Sequence, residues 1–272
     1  MRHRRRDDRS QAPATGRGRA VTGEPQLANA ENHLIELLPR KDRLRLLAEC
    51  EPVRLVLSEV LCDQGNPTRH VYFPTEGFIS LVTLIDGRQG VEVGMVGREG
   101  MLGAQVVLGV VAAPLRALVQ GAGTAWRISA AALRRELPRS AALQRCLSRY
   151  LYVLMAQLAG SATCLHYHQI DQRLARWLLM SHDRAHNDSF HVTHEFLAYM
   201  LGVRRVGITM AAGALQRSGL ISYHRGELTV LDRAGLEAAA CGCYATDRQT
   251  YAELLQGKPA ADIALAAEPA LA

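Results

Sequence analysis

No stretch of this 272-residue chain is apolar for long enough to cross a bilayer. The longest such run, 106–115, is about half of the roughly 20 residues that a spanning helix needs. The charged start of the chain is not followed by the apolar core of a secretory signal, so no membrane partner and a cytoplasmic setting are expected. The six cysteines, at positions 50, 62, 146, 164, 241 and 243, lie far apart except for the closing Cys-x-Cys. That pattern matches no zinc or iron–sulfur framework, so reduced thiols without metal or cofactor are expected. Phosphate-cradling glycine motifs are missing too: Gly121-Ala-Gly123 continues Thr-Ala-Trp, with no third glycine and no Lys-Ser/Thr pair. Nucleotide hydrolysis is thereby disfavoured. Ser181, His182 and Asp183 are contiguous, but neighbours on a helix diverge by about 100° and do not converge as a triad, so no enzyme is expected.

What the chain does have is length for about two cored domains, with 48% apolar residues and only 5% aromatics. The net charge of +6 is misleading until it is located, because residues 1–20 hold seven Arg against two Asp. Residues 1–20 lack apolar side chains able to bury surface, and 1–28 is read as a disordered basic tail. The rest is near neutral, so charge alone does not point to nucleic acid.

Local placement does. In VTHEFLAYMLGVRRVGITMAAGALQRSGLISYHRGELTVLD, residues 192–232, Thr193 caps a helix from about His194, with Phe196, Leu197, Met200 and Leu201 on one face and Gly202 as its stop. A second helix, about Arg204 to Ser218, buries Ile208, Ala211, Ala212 and Leu215. Its first turn is basic, which opposes its own dipole and points to an anionic partner. Gly219 ends it, and LISYH and ELTVL flank Arg225-Gly226 as a hairpin wing. Helix, turn, basic helix and wing in this order make a winged helix-turn-helix.

This segment resembles the DNA-binding domain of the Crp/Fnr family, bacterial regulators related to the cyclic AMP receptor protein. RLARWLLMSHDR (173–184) resembles the helix preceding that motif, and HVYFPTEGFISLV (70–82) resembles a strand-turn-strand of the family's sensor domain. The resemblance spans roughly residues 30–250. It implies a homodimer on a palindromic promoter site in double-stranded DNA, with RNA polymerase as protein partner. Arg205 aligns with the family's guanine-reading Arg. Val206 and Met210 stand where a Glu and a second Arg are common, so the operator should differ. Arg204 and Thr209 are expected to add base or phosphate contacts, and Thr193, Tyr223, His224 and Arg225 to hold phosphates.

The expected fold is α+β. A β-roll domain resembling cyclic-nucleotide-binding domains (29–138) comes first, read from short β-prone stretches with Gly65, Gly77, Gly87, Gly90, Gly97, Gly100 and Gly103 in turns. Leu34, Leu37, Leu38, Leu44 and Leu47, around a Pro39 break, give short helices packed on its side. A dimerisation helix follows (139–168), its seam formed by Leu147, Leu151, Leu154, Leu158, Ser161 and Leu165. The winged domain is placed at 169–250 and a C-terminal tail at 251–272.

Family members that bind cyclic nucleotides use an acidic residue and an Arg-Ser pair, where this chain has Ala104 and Ala113-Pro114. The resemblance therefore argues against cyclic AMP and leaves an unidentified small-molecule effector, with Arg116 as a substitute anion ligand. The alternative reading is a metal- or haem-sensing module with a protein partner, drawn from Cys164, His166, His168 and the downstream histidines, including His182-x3-His186. A hydrolase built on Ser181 and His182 is the third.

Overall fold

The computed structural model describes residues 31–85, 89–185 and 187–256. The basic tail, Gly87, His186 and residues 257–272 lie outside the described residues.

The first helices are short because Pro39 cannot continue a helix and resets the phase. They are α1 (His33–Glu36) and α2 (Arg40–Ala48). Leu34, Leu38 and Leu47 are buried as expected, but Leu37 and Leu44 are exposed, and Ile35 and Leu46 take the inner positions. Asn32 fixes α1 to the rest of the domain: its Oδ1 caps the amides of Leu34 and Ile35, while Nδ2 donates to the carbonyls of Pro74 and Gly100, both at 2.9 Å.

Seven strands follow: β1 (Glu51–Leu55), β2 (Val60–Cys62), β3 (His70–Pro74), β4 (Phe78–Ile85), β5 (Gln89–Val96), β6 (Arg116–Gly121) and β7 (Gly123–Ser129). They form two antiparallel sheets, ordered β1-β7-β3 and β2-β6-β4-β5. Leu55, Ile79, Leu81, Val96 and Val119 fill the space between the sheets. β3 is buried along nearly its whole length. The reason is that Val71 and Phe73 face the other way, into a second core with Leu34, Ile35 and Leu133 of α3 (Ala130–Glu136).

Gly65, Gly77 and Gly103 adopt positive φ, as turns require. A Cβ on Gly77 would also stand 2.3 Å from the Gly121 carbonyl oxygen. Gly90, Gly97 and Gly100 depart from the turn expectation, since their φ is not positive. Crowding explains them instead: a Cβ on Gly100 would lie 2.3 Å from the Tyr150 hydroxyl.

Ser140 caps α4 (Ala141–Tyr167) by accepting from the Leu143 amide at 3.0 Å. Its 27 residues span about 40 Å. Next come α5 (Ile170–Ala185), β8 (Ser189–His191), α6 (His194–Leu201), α7 (Arg205–Arg217), β9 (Ile221–His224), β10 (Glu227–Val230), α8 (Arg233–Ala239) and α9 (Cys243–Leu255). The wing is a three-stranded sheet, β8-β10-β9, one strand more than the expected hairpin. The core of this half, built on Leu174, Leu178, Leu197, Ile208 and Leu215, also takes in Phe78 and Met95 from the roll.

The expected boundary at residue 250 is wrong. Residues 251–255 complete α9, which lies along α4: Leu255 is buried, and the Tyr251 hydroxyl donates to the Glu99 carbonyl at 3.0 Å. Tyr244, Tyr251 and Leu255 share a helical face, a spacing that the loop-rich flanks hide. No helix among the described residues is long and apolar enough to cross a membrane.

Candidate nucleic-acid interface

Thr193 accepts from the Phe196 amide at 3.1 Å and so fixes where α6 begins. Gly202, at φ 62°, turns the chain. Arg204 then precedes α7 with extended backbone and no side-chain cap, and the first turn of that helix has no acidic residue. Ile208, Ala211, Ala212 and Leu215 are the buried positions of α7, as the sequence pattern requires. Arg204, Arg205, Val206, Thr209 and Met210 are exposed. Val206 and Met210 are 63% and 70% exposed, which is unusual for large apolar side chains on a packed helix.

His194, the first residue of α6, joins the parts of the reading head. Its ring stacks on Tyr223 of β9 with centroids 4.5 Å apart, and its Nδ1 meets the Thr209 hydroxyl at 3.1 Å. The basic end of α7 therefore sits beside the wing. Desolvation, with the charge of Arg205, lowers the His194 pKa and favours the neutral ring. Sequence reasoning misses this residue, because nothing in spacing shows that a histidine after a cap reaches two other elements.

At the wing tip, Arg225 and Gly226 both take positive φ, 50° and 89°, in a two-residue loop between the paired His224 and Glu227. That is the pattern of a type I′ turn. Arg225 and His224 are exposed. Tyr223 differs from expectation: its hydroxyl donates to the Val192 carbonyl at 2.8 Å and its ring is half-buried, so it braces the wing and is not turned toward a phosphate.

A family model of the Crp-like helix-turn-helix domain matches residues 172–239, and one of the cyclic nucleotide-binding domain matches residues 52–140. The chain belongs to the Crp/Fnr family of transcriptional regulators. Three solved structures share its fold. FixK2 from Bradyrhizobium japonicum is 13% identical, with 71% of this chain and 98% of that chain covered and a TM-score of 0.61. The c-di-GMP-responsive global regulator CLP of Xanthomonas campestris is 16% identical, covering 71% and 99%, at 0.57. A CRP-family transcriptional regulator from Thermus thermophilus is 23% identical, covering 69% and 96%, at 0.56. No curated protein matches.

In this Crp/Fnr regulator the roll holds a cavity of about 480 Å³, lined by Ala104, Ala113 and Pro114 together with Asp63, Arg69 and Tyr72. The three residues expected in place of the family's nucleotide contacts thus lie together. Arg116 does not serve as a free anion ligand: it pairs with Asp63, Nε to Oδ1 at 2.6 Å, because the adjacent strand end presents a carboxylate that the sequence alone does not locate.

Leu154 and Leu158 of α4 close the cavity. Leu147 and Ser161 are buried within their own chain, and Leu151 and Leu154 pack on the roll. Leu165 is half-buried beside Cys164 in a small cavity. The expected seam therefore faces inward over most of its length, since a buried intramolecular stripe and a dimer seam have the same spacing. Among the residues left outward, Tyr152 and Met155 are 62% and 65% exposed, and the exposed Ala159, Ala162 and His166 continue their three-four spacing.

Ser181 is only 1% exposed, and Asp183 is held by Arg233 and by the Tyr244 hydroxyl, so neither is placed to serve a hydrolase. His182 bonds Asp188 and Arg233. All six cysteines are free, as expected. Two pairs remote in sequence, Cys164 with His168 and Cys241 with Cys243, bring one ligand atom from each residue to within 4.8 Å of one another. His166 stays outside, edge-on to Tyr167. Hydrogen bonding with Cys241 and His168, and the charge of Arg176, lower the Cys164 thiol pKa.

Proposed function

We propose that this regulator works as a cytoplasmic homodimer that reads a two-fold symmetric promoter site through α7, acts on RNA polymerase, and answers a small-molecule signal received in the roll. One observation carries the reading. Basic and apolar side chains are exposed together on the first turns of a rigidly braced helix, beside a wing tipped by Arg225. Solvent gives Val206 and Met210 no favourable partner, whereas the C5-methyl groups of thymine in a major groove do.

In this reading Arg205 takes guanine O6 and N7, Val206 and Met210 contact thymine methyls, and Arg204 and Thr209 add base or phosphate contacts. Thr193, His224 and Arg225 hold the backbone. The outward stripe of α4, Tyr152 to His166, pairs with its copy and sets two reading heads one turn of DNA apart, roughly 34 Å. A ligand in the roll cavity touches the same helix through Leu154 and Leu158, so it shifts the helix pair only if it binds two arrangements with different affinity. Loss of the acidic and Arg-Ser chemistry at Ala104, Ala113 and Pro114 disfavours cyclic AMP as that ligand.

Selection of bound duplexes from a random pool tests the proposal. Enriched inverted repeats are expected, with half-site centres one helical turn apart. Equal retention of all sequences at moderate ionic strength, with and without cell extract, overturns it.

A further inference from the structure

We propose that Cys164, His168, Cys241 and Cys243 form a binding site for one thiophilic divalent metal ion, of which zinc is the type, clamping the end of α4 to the α8–α9 junction. This site does not depend on the DNA reading above.

Local geometry sets the four ligands. Cys164 and His168 are four residues apart at the end of α4, where the His168 amide closes the last turn onto the Cys164 carbonyl at 3.2 Å and keeps both side chains on one face. Cys241 and Cys243 flank Gly242, whose helical φ of −56° bends the backbone between them. The Cys164 and Cys241 sulfurs are 3.5 Å apart, and Cys243 Sγ is 3.6 Å from His168 Nδ1. Four donors at zinc bond lengths of about 2.3 Å to sulfur define a tetrahedron with sulfur–sulfur edges of about 3.8 Å. The observed separations are close to those edges and far beyond a disulfide's roughly 2.05 Å.

Three sulfurs and one imidazole make a soft donor set, which selects zinc-like ions over magnesium or calcium. A cluster of several irons needs its cysteine sulfurs further apart than these. Cys164 and Cys241 are buried while His168 and Cys243 are half-buried, so the ion has a closed floor and a route in.

Charge supplies a second, independent argument. With all three sulfurs bound as thiolates, a divalent ion and a neutral imidazole, the centre carries a net charge of −1. Arg173 and Arg176 are both 8% exposed, and both line the small cavity that Cys164 also lines. Arg176 is already paired with Asp247 at 2.6 Å. Arg173 donates to the Leu201 carbonyl and, among the described residues, has no carboxylate in ion-pair range. A buried cation without a counter-charge is costly. An anionic metal centre provides one.

The test is titration of the reduced, metal-free full chain with Co²⁺. The expected result is one Co²⁺ per chain, with a thiolate-to-metal charge-transfer band and the strong visible bands of tetrahedral cobalt, all bleached by Zn²⁺. Cys241→Ser and His168→Ala should lose or reshape those bands, while a chain carrying Cys50→Ser, Cys62→Ser and Cys146→Ser keeps them. Circular dichroism of each metal-free variant separates lost ligation from lost folding. Zn²⁺ should raise the melting temperature of the unaltered chain and leave that of Cys241→Ser unmoved. Should a variant fail to fold, protection of Cys164, Cys241 and Cys243 from alkylation by Zn²⁺ in the unaltered chain gives the same answer. Absence of tetrahedral bands, bands that survive Cys241→Ser unchanged, or two thiols of the six tied in a Cys164–Cys241 disulfide after purification under reducing conditions would overturn the proposal.

Discussion

Arg205 and Arg225 differ in what they are placed to touch, and the difference is measurable. Arg205 opens α7 and is exposed beside Val206, so Arg205→Ala should cost about 1–3 kcal/mol at one base pair per half-site and leave the other positions of the selected sequence intact. Arg225 sits at the wing tip, where the proposed function has it hold backbone phosphate and read no base. Arg225→Ala should weaken all duplexes alike and flatten the salt dependence by about one unit of slope. Fluorescence anisotropy with single-base operator variants over a salt series separates the two. Glu92 on β5 carries a pH dependence of its own. Desolvation pushes its carboxyl up to about 7 against the opposing pull of Ser80, the charges of Arg184 and Arg176, and Trp177. A raised acid contributes stability that is full below its unfolded value of about 4.5 and is lost as pH rises through 7. Glu92→Gln should therefore gain on the unaltered chain between pH 5 and pH 8, by up to about 3 kcal/mol, in denaturant melts at the two pH values. Equal differences at both would refute the assignment.

Among the elements, α6 depends on its first residues. Its cap is one hydroxyl, and Thr193→Ala should lower stability by about 1 kcal/mol in thermal unfolding without DNA, with Thr193→Ser restoring most of it. Both reading helices are legible in sequence to within a residue. Thr193, Gly202 and Gly219 punctuate them, and the 3.6-residue period names Ile208, Ala211, Ala212 and Leu215 as the inner face. α4 is legible as a helix and illegible as a surface. Apolar residues three and four apart occur on both its inward and outward stripes, and only the positions of the roll and α9 decide which stripe is covered. The third wing strand, β8, escapes sequence reading because its three residues are too few to show an alternation of their own.

For the whole molecule, the consequence is that the two stripes of α4 should fail differently. Met155→Glu should yield monomers in analytical ultracentrifugation and cut DNA affinity while leaving the melting temperature of the fold nearly unchanged, since Met155 is 65% exposed. Leu147→Ala should instead destabilise the chain by about 2–5 kcal/mol, because Leu147 lies in the core shared by α1, β3 and α9. A dimer that persists in Met155→Glu would move the interface elsewhere. Sequence by itself determined the order of parts: a roll, a long helix and a winged helix-turn-helix, since each is written in local periodicity and turn chemistry. That Ala104, Ala113 and Pro114 stand in place of nucleotide contacts is implied by the family resemblance and belongs to the proposal. Tertiary structure alone decided that Arg116 is spent on Asp63, that Tyr223 braces the wing, and that α9 runs on through residue 255. It alone brought Cys164 and His168 to Cys241 and Cys243 across more than 70 residues of chain. The physical reason is common to all four: local spacing fixes which residues share a face, but the partner that meets that face is chosen by how distant elements pack.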